Sequence, residues 1–128
     1  MKYTIVSVLV CLLGANQAFA DPCAADLPTK AGATFGGVIK YIGDGDSLCV
    51  GDSADGRKWI EVRLADFDAP ELHTKEGKAA KAILERETMG RNATCTVTKG
   101  RSGDTTTYDR VLAVCRIEIG RASCRERV

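Results

Sequence analysis

The chain is 128 residues long and sets eighteen Lys and Arg against seventeen Asp and Glu, a formal net charge of +1. That length leaves room for one domain. The near balance of charge excludes the strongly basic surface through which many proteins attract nucleic acid, so any polyanion would have to be held locally.

Residues 1–20 read as an export signal: Lys2 supplies the positive start, Ile5 to Leu13 an apolar stretch too short to span a membrane, and Ala18-Phe19-Ala20 a cleavage site before Asp21. A periplasmic or secreted protein, free of the membrane once the signal is cleaved, is expected. Residues 21–33 form a polar arm with Pro22, Pro28 and Gly32, from which little function is expected. Thr34 to Ile42 is β-rich, Gly43-Asp44-Gly45-Asp46 is a turn, and Ser47 to Val50 resumes the extended run. After a polar turn over 51–57, Trp59 to Leu64 alternates, with Ile60, Val62 and Leu64 on one face and Glu61 and Arg63 on the other. Arg63 is therefore predicted to point away from the core, and Glu61 shares its exposed face.

A loop from Asp66 to Thr74, punctuated by Pro70, leads into a predicted helix over 75–89 that Gly90 ends. Its apolar stripe is Ala79, Ala80, Ile83 and Leu84. Ala93 to Thr98 and Tyr108 to Ile117 are the last predicted strands, separated by a Gly- and Thr-rich loop. The remaining segment, 118–128, has no periodicity and resembles a translated synthetic sequencing adaptor, so it is read as a non-native tail outside the fold. Residues 34–117 are thus the expected domain. Its five strands, with one helix between the third and fourth, predict a mainly β chain folded as an OB-type Greek-key barrel, an architecture that binds oligonucleotides across one face and its loops.

Of six cysteines, Cys11 falls in the signal and Cys124 in the tail. The other four allow three pairings. Cys95 with Cys115 is favoured because the two lie on neighbouring strands joined by one hairpin, which leaves Cys23 with Cys49. No close Cys-x-x-Cys pair supports zinc.

Three short stretches carry the chemistry. Asp46 and Asp68 offer oxygen ligands suited to a hard divalent cation, Arg63 and Arg110 can each present a planar fork to phosphate, and Glu71 is available as a base. Each stretch alone is weak. Asp44-Gly45-Asp46 by itself is an ordinary solvated turn without the downstream Glu of a calcium loop, and His73 reads as a surface loop residue. Asn92-Ala93-Thr94 matches a glycosylation sequon, but so short a motif arises often by chance.

In order, however, Asp44-Gly45-Asp46-Ser47-Leu48, Arg63-Leu64, Asp68-Ala69-Pro70-Glu71 and Tyr108-Asp109-Arg110-Val111-Leu112-Ala113 resemble the thermonuclease, or staphylococcal-nuclease-like, family over about residues 35–117. The resemblance implies a monomeric, calcium-dependent endonuclease acting on DNA and RNA and leaving a 3′-phosphate. It implies calcium on Asp46, Asp68 and the main-chain carbonyl of Ala69, with Asp44 behind these ligands. Glu71 is then the base, Arg63 and Arg110 the phosphate clamps, and Tyr108 a substrate contact. Ala69 stands where the family often has threonine, which a backbone ligand tolerates. The helices with which the family continues after the fifth strand have no counterpart here, so the domain is expected to be incomplete. A non-catalytic OB module that binds nucleic acid, and an inactive nuclease fragment, are the competing readings.

Overall fold

The computed structural model describes residues 21–66, 68–119 and 124–127. The expected export signal lies outside the described residues, as do Phe67, residues 120–123 and Val128. The elements are β1 (Thr34–Asp44), β2 (Ser47–Gly51), a 3₁₀ turn (Gly56–Lys58), β3 (Ile60–Leu64), α1 (Lys75–Thr88), β4 (Asn92–Val97), β5 (Thr106–Thr107), β6 (Arg110–Ile119) and β7 (Cys124–Arg127).

β1, β2 and β3 form an antiparallel meander, β1 also pairs with β4, and β4 pairs with β6. β6 then lies parallel to β3, matching Val62 to Val111 and Leu64 to Ala113, which closes a five-stranded mixed barrel. This is the expected OB-type barrel with one helix between its third and fourth strands. The two-residue β5 and the short β7 are additions on β6.

Alternation explains how the barrel fills. β4 turns Ala93, Cys95 and Val97 inward and β6 turns in Val111, Ala113, Cys115 and Ile117, while the intervening residues are more exposed. Ile39, Ile42, Leu48, Val50, Val62 and Leu64 meet them from the meander. The expected Cys95–Cys115 bond lies inside this core between directly paired residues, Cα atoms 4.0 Å apart. The second expected bond, Cys23–Cys49, ties the arm to β2 with Cα atoms 6.1 Å apart.

The arm is laid against the barrel along much of its length. Ala24 and Ala25 donate to the carbonyls of Gly56 and Trp59, and Gly32 donates to that of Val97. With the Cys23–Cys49 bond, these contacts lay the arm against β2, the turn at 56–59 and the end of β4.

Thr74 caps α1, its Oγ1 accepting from the Gly77 amide at 3.0 Å, and Gly90 ends the turn after it with φ +77°. The helix buries Gly77, Leu84 and Thr88, whereas Ile83 is 52% exposed and Ala79 also faces water. The predicted stripe is thus about one residue too wide. The reason is close contact: a Cβ on Gly77 would lie 1.9 Å from the Glu71 carbonyl oxygen, so the helix turns its smallest residue to the loop. Among the described residues, no helix is long and apolar enough to cross a membrane.

The segment read as a tail is partly in the sheet. Glu118 and Ile119 extend β6, and 124–127 pair antiparallel with 116–119. Unpaired strand backbone accepts almost any extended partner, so this pairing bears on geometry and not on the segment's origin.

Candidate functional site

The β1–β2 hairpin turns on Gly45 and Asp46, and Asp44 organises it. Its Oδ1 accepts from the Asp46 amide at 3.1 Å and from the Ser47 hydroxyl at 2.8 Å. Gly45 is required by crowding, because a Cβ there would come within 2.6 Å of the Ala69 Cβ and 2.8 Å of the Ala80 Cβ. Turn, loop and helix therefore meet at one point. The Ala69 amide completes the junction by donating to Asp46 Oδ2 at 3.1 Å.

These contacts open a cavity of about 360 Å³ lined by Asp44, Asp46, Arg63, Asp68, Glu71 and Arg110, together with Ala69 and Pro70. Every residue expected to hold a cation, a phosphate or a proton is in that wall. Tyr108 is not. It lies 94% exposed on the β5–β6 turn, with φ +54°, and lines an adjoining cavity of about 580 Å³ that shares Asp44 and Arg110 with the first. Tyr108 was expected to begin the last strand, which instead starts at Arg110.

Arg63 Nη2 bridges the two expected cation ligands, 3.2 Å from Asp46 Oδ2 and 2.5 Å from Asp68 Oδ1, and Nη1 donates to the Leu64 carbonyl. The guanidinium thus lies where a positive charge between the two carboxylates is wanted. Ala69 meets Asp46 through its amide N–H. Among the described residues no three His, Cys, Asp or Glu side chains are drawn close enough to hold a metal by themselves. The carboxylates of Glu71 and the guanidinium of Arg110 have no hydrogen-bond or ion-pair partner among the described residues. Glu71 is held instead through its backbone, whose carbonyl accepts from the Thr74 amide at 3.0 Å and hydroxyl at 2.7 Å.

Electrostatics separate the neighbours in the hairpin. Burial and the adjacent Asp44 push Asp46 up to about 6, against the pull of the Ala69 amide and Arg63. Asp44 is held below its usual range by hydrogen bonds from the Asp46 and Ser47 groups and by the charge of Arg110, which outweigh its own burial.

Glu61 departs furthest from expectation. Its side of β3 was read as exposed, yet Glu61 is only 4% exposed. Burial first, then a hydrogen bond and charge from Asp21 and the charge of Asp109, push it up to about 8, with Arg110 pulling the other way. A carboxyl raised above its ordinary 4.5 contributes stability that is complete at acid pH and is lost as pH rises through about 8. Its alternation with Arg63 gave the right face. Nothing in that pattern disclosed its burial.

Comparison with protein-family models and with curated proteins finds no match to this chain. The chemistry of the site accordingly rests on its own atoms.

Proposed function

We propose that this chain is an exported, calcium-dependent nuclease of the thermonuclease type that hydrolyses phosphodiester bonds in DNA and RNA. One observation carries the reading: acids and arginines from the β1–β2 turn, β3, the 68–71 loop and the start of β6 converge on one cavity. That cavity lies beside the loop between strands one and two and the face of strands two and three, the edge on which OB barrels bind oligonucleotides. The two disulfides fit an oxidising compartment outside the cytosol.

A phosphodiester resists attack because its anionic oxygens repel nucleophiles. Arg110, which has no ion pair among the described residues, can take one of those oxygens directly. Arg63 can take another by exchanging its single-nitrogen contacts to Asp46 and Asp68 for a planar fork on phosphate. Glu71, likewise unpaired in the same wall, can accept the proton of an attacking water. The oxygen donors of Asp46, Asp68 and Ala69 suit a hard cation, and the crowding that raises Asp46 is what a cation would relieve. Calcium held there would neutralise phosphate charge as a Lewis acid.

Zymography on DNA and on RNA, with calcium and then with chelator, tests the reading. Cleavage of both that disappears with chelator is expected. A folded protein that retards nucleic acid without cutting it would assign the chain to the binding modules instead.

A further inference from the structure

The arm ends over the site. Asp21 lies beside the hairpin, where a Cβ on Gly43 would come 3.4 Å from its Oδ2, and it lines the 580 Å³ cavity together with Asp44, Glu61 and Asp109. The disulfide holds it there, since Cys49 stands directly opposite Glu61 in the β2–β3 pairing. On its other side Glu61 adjoins Arg110. Each precedes one member of the parallel pair Val62 and Val111, both fully buried, so Glu61 and Arg110 occupy the neighbouring outward position. Both line the 580 Å³ cavity.

Four carboxyl groups, Asp21, Asp44, Glu61 and Asp109, crowd that cavity around one arginine, and ionisation is most disfavoured for the buried one, Glu61. On the reading of Arg110 as a phosphate clamp, we propose that Glu61 is its positioning residue: protonated among these carboxyl groups, it leaves the guanidinium to phosphate. Once that proton is lost to solvent, Glu61 becomes an internal carboxylate that competes with phosphate for Arg110. The groups facing it fit this role. Asp21 from the arm and Asp109 from the β5–β6 turn disfavour its ionised form, Arg110 alone favours it, Asp44 shares the cavity, and Tyr41 and, more remotely, Glu85 of α1 complete the surroundings.

The test uses the full chain and two readouts. Carboxyl-carbon NMR should show Glu61 titrating near pH 8, at higher pH in Arg110→Ala and at lower pH in Asp21→Asn; a titration that Arg110→Ala leaves unmoved overturns the proposal. Binding of a deoxyadenylate hexamer in chelator, read by fluorescence anisotropy, should weaken about tenfold between pH 7 and 9, because each pH unit beyond the midpoint weakens a competed contact by up to tenfold. Glu61→Gln should bind as the parent does at pH 7 and lose the pH dependence. Parallel pH curves for Glu61→Gln and parent overturn the inference even where zymography shows a nuclease. Absent cleavage with both expected responses intact would sink the nuclease reading and leave the Glu61–Arg110 relation standing.

Discussion

Asp46 and Asp68 meet the same guanidinium nitrogen, yet the side chain of Asp46 is 11% exposed and that of Asp68 is 94% exposed. The difference runs through the whole cavity. Arg63 and Arg110 stand on strands of the closed barrel, and Asp46 on a two-residue hairpin turn, so their backbone is fixed by sheet pairing. Asp68 and Glu71 stand on a loop that reaches its place through a few local contacts: the Ala69 amide, the Thr74 cap and the bare backbone of Gly77. An exposed pair such as Arg63–Asp68 contributes about 0–1 kcal/mol at most, so it does little to hold the loop. The strand-borne half should survive changes that the loop-borne half does not.

The sharpest way to set the halves against each other is to remove one functional group from each. Glu71→Ala and Arg110→Ala should each lower kcat by about 10²- to 10⁴-fold with the circular dichroism spectrum unchanged, the first as a lost general base and the second as a lost contact to developing phosphate charge. Turnover near that of the parent in either variant removes the corresponding role. Gly77→Ala should break the comparison in the loop's favour or against it. A Cβ 1.9 Å from the Glu71 carbonyl oxygen must displace the loop, costing about 1–3 kcal/mol and lowering kcat by up to about 10²-fold, with Arg63 and Arg110 undisturbed. Unchanged kcat would show that the loop's position matters less than its residues. Thr74→Ala is the mildest test. It deletes the helix cap and the hydroxyl bond to Glu71 together, for a loss of about 1 kcal/mol by denaturant titration and a smaller fall in kcat than Gly77→Ala gives.

The same division separates what could be read in the sequence from what could not. Period-two alternation in 93–97 and 111–117, the Gly and Asp of the hairpin and the Ala- and Lys-rich helix are local signals, and they led to the barrel, its inserted helix and the order of its strands. Both disulfides followed from that order. What escaped depends on which segment covers which face. Glu61 has the spacing of a surface residue yet is buried, opposite Cys49, where the disulfide to Cys23 brings in a segment some forty residues earlier. Ile83 fits an apolar stripe, but the contact with the 68–71 loop is made through Gly77 and turns Ile83 outward. Arg63 points away from the core as expected, but its bridge between two carboxylates of other segments had no local signal. Long-range cover leaves no periodic trace.

The pairing of β3 with β6 is the one parallel contact among the described strands, and it joins residues 62–64 to residues 111–113. Closing contacts so distant in sequence costs loop entropy, which slows folding. Arg63 and Arg110 consequently share a cavity only once β3 and β6 have paired. On the proposed function, the two phosphate clamps are therefore assembled by the same contact that closes the barrel.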